Sequence, residues 1–392
     1  MFPSADHEAW LGEQLRLQLD FGRRFPHPDG GAAWLRSDGT PDLERPVHTW
    51  ITARMAHVYS LGHLAGIDGC GALADTALAG LTGRLEDGEH GGWFASSEDT
   101  TKSAYAHAFV LLAASTALVA DRPGARDLLE RAAGVLDTRF LTDAGLYAER
   151  WDAAWTDLED YRGVNANMHA VEATLAAYDA TGERRFLDRA VHIADTVTGW
   201  AGTNDWRVPE HFDTDWQPML AHHLRQPDHP FEPYGATVGH GLEWSRLLLT
   251  VAAAEGGDRT AAATSLFDRA VADGWAVDGH EGFVYTTDWE GSPVVADRMH
   301  WVLCEAICAA AALGRSTGDS RYDDLVALWW QDAATHWIDP ANGSWAHQLA
   351  RDLTPSDTVW SGRPDLYHSV HAVLLPRLPL WPTAASVLRN AR

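Results

Sequence analysis

Two histidines, His240 and His368, each stand at the start of a strongly apolar stretch, "GHGLEWSRLLL" and "YHSVHAVLL". Imidazole titrates near neutral pH, so a histidine kept at the polar start of a buried helix is a candidate for moving protons. Glu243 follows His240 by three residues, on the same face of a helix. There it could orient an imidazole or bind hydroxyls. Three chemistries fit these residue types. In the first, a divalent metal is held by His368 and His371 with His240 or Glu243, or by the loop set His222, His223 and His229; no H-E-x-x-H spacing supports it. In the second, paired carboxylates cleave a glycosidic bond, with Glu243, Glu305 and Asp365 as the available acids. That choice leaves the histidines idle. In the third, His240 and His368 move a proton next to a carbonyl while Arg54 stabilises the enediolate oxygen that forms. The third uses every unusual residue and needs neither metal nor cofactor.

Composition narrows the partners. The chain has 392 residues, a net charge of −25 and 46% hydrophobic residues, the profile of a folded globular protein. So acidic a surface repels phosphate backbones and anionic lipid, which argues against nucleic acid and membrane partners. No run of about 18 apolar residues is present to span a bilayer. The opening "MFPSADHEAWLGEQ" has neither the basic nor the apolar region of a secretory leader. Three cysteines, Cys70, Cys304 and Cys308, argue against a disulfide scaffold and fit a reducing cytoplasm. Lysine occurs once, at Lys102, so Schiff-base chemistry would rest on that residue. No Gly-rich phosphate or dinucleotide loop occurs. Nineteen tryptophans exceed ordinary use, and an indole face matches the C–H face of a pyranose, but most of these rings are expected to pack the core. Both a monomer and a homodimer fit the sequence.

The elements that must position these residues come from an internal repeat. A Gly- or acid-rich turn ending in an aromatic recurs six times, at Trp34, Trp93, Tyr147, Trp206, Phe283 and Trp345. Helices with one apolar stripe, such as "ARDLLERAAGVLDTRF", alternate with helices apolar nearly all round, such as "SAYAHAFVLLAASTALVA". The second kind needs cover on every side and forms an inner layer; the first kind covers it. Six such pairs predict an all-α fold, an (α/α)6 barrel with short β-hairpins in its loops, as a single domain over residues 1–392. The inner helices start with Arg54, Tyr105 and His107, Asn165 and His169, His240 and Glu243, His300 and Trp301, and His368 and His371. A barrel of this kind gathers those starts at one mouth.

Four stretches taken in order, "HTWITARMAH", "NANMHAVEA", "PYGATVGHGLEWSRLLL" and "GRPDLYHSVHAVLLP", resemble the N-acylglucosamine 2-epimerase superfamily. The likeness is greatest to its aldose–ketose isomerase branch, the mannose and sulfoquinovose isomerases. The resemblance spans essentially the whole chain and implies the same barrel. It implies that His240 and His368 are the general acid/base pair, and that Arg54, Asn165, His169 and Glu243 bind substrate. Tyr105, Trp289 and Trp301 match aromatics lining the family's site. Residues 300 to 306 read "HWVLCEA" where the cellobiose-acting branch has a "WWPQAE"-like stretch, leaving Glu305 as a matching, supporting acid. The implied reaction is mannose to fructose, with lyxose to xylulose beside it, through a cis-enediolate and without a cofactor. C2 epimerisation is the alternative.

Overall fold

The computed structural model describes residues 5–392; the first four residues of the stretch read above for a leader lie outside them. Helices alternate between the two kinds that the sequence predicts. The inner set is α2 (Thr49–Leu64), α4 (Ala104–Val119), α6 (Val164–Thr181), α8 (Val238–Glu255), α10 (His300–Thr317) and α12 (Tyr367–Leu374). The outer set is α1 (Ala5–Phe21), α3 (Cys70–Leu81), α5 (Ala125–Val135), α7 (Arg184–Thr203), α9 (Thr260–Gly274) and α11 (Arg321–Asp332). A short α13 (Ala384–Asn390) closes the chain. Burial follows from composition. Every residue from Thr49 to Gly62 in α2 and from Ala106 to Ala117 in α4 is buried. In α5 only the stripe Ala125, Leu128, Leu129, Ala132 and Ala133 is, as a one-sided helix requires. Each fully covered leucine, such as Leu248 on α8, stabilises the fold by about 1.5–3 kcal/mol. In "LWWQDAATHW" the tryptophans Trp329, Trp330 and Trp337 are core, while Leu328 is exposed.

The chain divides into two compact units. The first comprises α1, Ala194–Gly362 and His368–Leu380, and packs α8 against α10 with α9 and α11 behind them. The second comprises Gly22–Ile193, Arg363–Tyr367 and Trp381–Arg392, and packs α2, α4 and α6 side by side with α3 and α5 behind.

Short antiparallel strands sit directly before α4, α8 and α10. Lys102–Ser103 pairs with Arg150–Trp151 and leads into α4; Ala236–Thr237 pairs with Thr286–Thr287 and leads into α8; Arg298–Met299 pairs with Gln348–Leu349 and leads into α10. The first residue of each of these helices is thus held by a strand, which fixes where its first turn points. At the far end of α8, Gly256 takes φ +79° and its N–H bonds to the Ala252 carbonyl, a left-handed cap that favours glycine.

Lys102, the one lysine, is fully buried in the second unit. Its Nζ donates to Asp87 Oδ2 at 2.6 Å and to the carbonyls of Gly91 and Ala153 at 2.7 and 2.6 Å, and stands 4.5 Å from the Trp155 ring centre. All three ammonium protons have acceptors, so this lysine is a structural tie between the hairpin and two loops.

His107, at the start of α4, is also structural. Its Nδ1 lies 2.7 Å from the Ser103 carbonyl, and its Nε2 accepts the Trp93 N–H at 3.0 Å. Nδ1 therefore carries the proton. Burial is the main cause that lowers its pKa, to about 4. The folded state holds this imidazole neutral while the unfolded chain protonates near its ordinary value. The stability this supplies is complete above about pH 6.5 and is lost as pH falls from there towards 4, a loss on the order of 3 kcal/mol. Urea unfolding followed between pH 7 and pH 4.5 should show this decline, and His107→Gln should flatten it. An unchanged slope in the variant would rule out His107 as its source.

Candidate functional site

In the first unit, the first turns of α8, α10 and α12 bring their side chains together. His240 is the third residue of α8, Trp301 the second of α10 and His368 the second of α12. The Trp301 ring centre lies 5.3 Å from that of His240 and 5.7 Å from that of His368. Gly239 permits this closeness: a Cβ there would come within 2.2 Å of the Trp301 ring. Gly239 thus lets α10 reach the base of the histidine, while Gly241 faces Ala270 of α9.

Each of the two imidazoles has its own carboxylate. His240 Nδ1 is 2.9 Å from Glu210 Oε1, and His368 Nδ1 is 2.9 Å from Glu305 Oε1. A carboxylate accepts from Nδ1–H, which assigns the proton to Nδ1 and the lone pair to Nε2 in both rings. The carboxylate also stabilises the imidazolium that forms when Nε2 takes a second proton. Both residues are buried, with side-chain exposures of 11% for His240 and 7% for His368.

Behind the imidazoles lies a buried ionic chain. Arg246 Nε donates to Glu305 Oε2 at 2.9 Å, and its NH2 group is 3.6 Å from Glu243 Oε1. Glu243 therefore sits beside Arg246, and the orienting role that the sequence allowed it belongs to Glu210 and Glu305. Helix geometry gives the reason. Glu243 is one turn deeper than His240 and meets Arg246 at the next i,i+3 step. Ligand atoms of Glu243, Glu305 and His368 lie within 4.8 Å of one another, as in a metal set. The guanidinium of Arg246 already supplies the cation for both carboxylates. His300, the first residue of α10, stacks on His347 at 3.9 Å, its Nδ1 3.2 Å from the His347 carbonyl.

The second unit holds its own polar cluster. Arg54 donates to Asp365 Oδ2 at 3.0 Å and to the Tyr105 hydroxyl at 2.9 Å, and its guanidinium carbon lies 4.3 Å from the Phe109 ring centre and 4.7 Å from that of Tyr367. Burial acts to lower its pKa; Tyr105, Asp365 and Tyr367 more than offset this, and the group is held charged. Asp365 also accepts the Tyr367 N–H at 2.8 Å, which caps the start of α12. Tyr367 donates its hydroxyl proton to Glu172. The His169 ring packs on Phe109 at 4.5 Å and on Tyr105 at 5.2 Å. Asn165 lies one turn before His169 on α6, half-buried, with no hydrogen-bond partner for its Oδ1. Its neighbour Asn167 is structural, tied to both backbone groups of Tyr147.

Trp289 stands in the turn between Thr286–Thr287 and Pro293–Val295, half-buried, and donates its indole N–H to the Leu220 carbonyl at 2.7 Å. The loop histidines form a stack, with ring centres 4.0 Å apart for His222 and His223 and 4.6 Å for His223 and His229. Sequence reasoning passed over Glu210 and Tyr367. Glu210 follows the end of α7 in irregular chain, where no periodicity marks a side chain. Tyr367 adjoins His368 in "DLYH", and that adjacency was its signal.

The family model for N-acylglucosamine 2-epimerase (GlcNAc 2-epimerase) matches residues 30–372. D-mannose isomerase of Thermobifida fusca is 51% identical over 98% of this chain and 97% of its own length. D-mannose isomerase of Pseudomonas cannabina pv. alisalensis is 43% identical over 98% and 96%. A crystal structure of a D-mannose isomerase superposes with a TM-score of 0.89 at 27% identity, covering 96% of this chain and 99% of that one. With its alternating inner and outer helices the fold is of the (α/α)6 barrel class, and the chain belongs to the N-acylglucosamine 2-epimerase family.

Proposed function

We propose that this chain is an aldose–ketose isomerase that interconverts D-mannose and D-fructose, and D-lyxose and D-xylulose, without a cofactor. The observation that carries the reading is the pair His240 and His368, each with Nδ1 on a carboxylate and each against Trp301. The two relatives that are 51% and 43% identical, both named D-mannose isomerase, support the choice of sugar. After ring opening, His368 Nε2 takes the C2 proton and its imidazolium is balanced by Glu305. The electron pair moves onto O1, giving a cis-enediolate. The same imidazolium returns the proton to C1, while His240 passes a proton from O2 to O1, leaving a C2 ketone. Trp301 is proposed to contact the sugar beside the two imidazoles, with Glu243 and Glu305 supporting that contact from behind through Arg246. Arg54, Tyr105, Asn165 and His169 are proposed to bind hydroxyls and to steady the enediolate, and Trp289 to bound the sugar. Residues 1–392 are proposed to act as one catalytic domain. A cytoplasmic setting is inferred from three cysteines that are all buried thiols.

A second reading, C2 epimerisation, is favoured by one feature: each imidazole has its own carboxylate, so either is equipped to protonate carbon. Incubation of D-mannose in D2O distinguishes the two. Fructose as first product supports isomerisation, with deuterium at C1 only to the extent that the imidazolium N–H exchanges with solvent before its proton is returned; glucose deuterated at C2 as first product overturns it in favour of the epimerase.

Glu210→Gln tests the orientation of His240. The amide replaces the acceptor with a poorer one and withdraws the charge that stabilises imidazolium. The expected result is a 10- to 100-fold fall in kcat, roughly the scale for losing the group that orients a functional histidine, with little change in KM. Unchanged kcat would remove Glu210 from the mechanism.

A further inference from the structure

A carboxylate on the outer layer of the first unit is buried without enough partners. Asp332, the last residue of α11, has 6% exposure. Its Oδ2 accepts the Trp337 indole N–H at 3.0 Å, while its Oδ1 is buried with no hydrogen-bond partner. An unmatched buried carboxylate oxygen costs free energy, so it calls for a cation or a proton. His336 lies four residues on, in the π-helical turn Ala333–Trp337 that extends α11, on the same face of the helix. Glu281 approaches from the loop that precedes Gly282, and its Oε2 is 3.8 Å from His336 Nε2. One ligand atom from each of Glu281, Asp332 and His336 lies within 4.8 Å of the other two.

The surroundings make this a built site. Arg298, fully buried, grips Asp278 through NH1 and NH2 at 3.0 and 2.7 Å, and its Nε donates to the Glu281 carbonyl at 3.2 Å. The backbone that carries Glu281 is therefore fixed while its side chain stays free to turn. On the other side, the Trp337 bond holds Asp332 so that one oxygen is anchored and the other remains for a ligand, the usual arrangement behind a metal-binding carboxylate.

We propose that Asp332, His336 and Glu281 bind a divalent transition-metal ion of the Zn2+ class, which ties the end of α11 to the loop at residues 276 to 282. One imidazole and two carboxylates suit Zn2+ better than Ca2+ or Mg2+, which take all-oxygen shells. Tetrahedral bonds of about 2.0–2.2 Å put ligand atoms about 3.3–3.6 Å apart, close to the 3.8 Å between Glu281 Oε2 and His336 Nε2 and inside the 4.8 Å that bounds the three. The loop stack of His222, His223 and Glu232 also offers three ligand atoms, but there His222 Nε2 is already 2.8 Å from Glu232 Oε2 and His223 Nδ1 2.7 Å from the Glu232 carbonyl.

The test uses the full chain without a polyhistidine tag, freed of metal by a chelator. Zn2+ is titrated by calorimetry, and Co2+ by its visible absorption, with Ca2+ and Mg2+ as controls. The expected result is one Zn2+ per chain, with affinity lowered at least about tenfold in Asp332→Asn, His336→Ala and Glu281→Gln, the scale for perturbing a metal site. Glu281→Gln is on the surface and keeps the test open if a variant at Asp332 fails to fold. Binding should persist in His222→Ala/His223→Ala. Failure of the wild-type chain to bind Zn2+, preference for Ca2+, full affinity in Glu281→Gln, or loss in the loop variant each overturns the proposal. Turnover of D-mannose should be the same with and without chelator, so this outcome is separate from the fate of the isomerase reading.

Discussion

His368→Asn should lower kcat for D-mannose by a factor on the order of 10³ to 10⁴, the upper range of what a positioned general base contributes. The substitution is chosen for its shape. The asparagine amide can stand where Nδ1 stands and donate to Glu305 Oε1, now 2.9 Å from the imidazole. Glu305 then keeps its second bond, to Arg246, and the buried chain Glu305–Arg246–Glu243 stays satisfied. What disappears is Nε2, the only atom of the side chain able to take the C2 proton. Because binding groups are untouched, KM should move by less than threefold, a small effect beside the fall in rate. Solvent deuterium should cease to enter C1 of the product. Steady-state kinetics, the deuterium content of fructose and the thermal midpoint together check this. Activity within tenfold of the parent, in a variant whose midpoint is unchanged, would move the C2 base elsewhere.

Lys102→Met should destabilise the protein by about 3–5 kcal/mol, the range for removing one member of a buried ion pair. Methionine fills much of the same volume, so the loss is electrostatic more than steric. Three acceptors lose their donor at once: Asp87 Oδ2 and the carbonyls of Gly91 and Ala153. Asp87 keeps only the backbone N–H groups of Glu89 and His90, at 2.9 and 3.1 Å. The larger part of the penalty is thus an uncompensated buried carboxylate. Adding Asp87→Asn to Lys102→Met should therefore recover part of the loss, and the coupling is read from a double-mutant cycle in urea. A loss below about 1 kcal/mol in the single variant would put the lysine in the class of exposed pairs.

Much of the architecture was legible because it is written in periodicity. Segments apolar all round and segments apolar on one stripe differ in plain sequence, and they became inner and outer helices. The turns that end in Trp93, Tyr147, Phe283 and Trp345 were legible from glycine and aromatic spacing. His240 and His368 stood out because a histidine at the head of a buried helix is unusual. The partners of these histidines were harder to read. Glu210 reaches His240 across 30 residues from irregular chain, and Glu305 reaches His368 across 63. Which carboxylate meets which imidazole depends on the packing of α8, α10 and α12, and no local pattern encodes it. Arg246 was visible one turn after Glu243. Its bond to Glu305, on another helix, was not.

The solitary lysine has a practical meaning as well. An amine-reactive reagent finds no lysine on the folded surface, since the one it could modify has none of its side chain exposed. Any acylation of Lys102 records a moment when the hairpin Lys102–Ser103 has parted from the loops that cover it. The rate of that labelling, followed by mass, is thus a single-site clock for local opening, reading either the open population or the opening rate depending on reagent concentration.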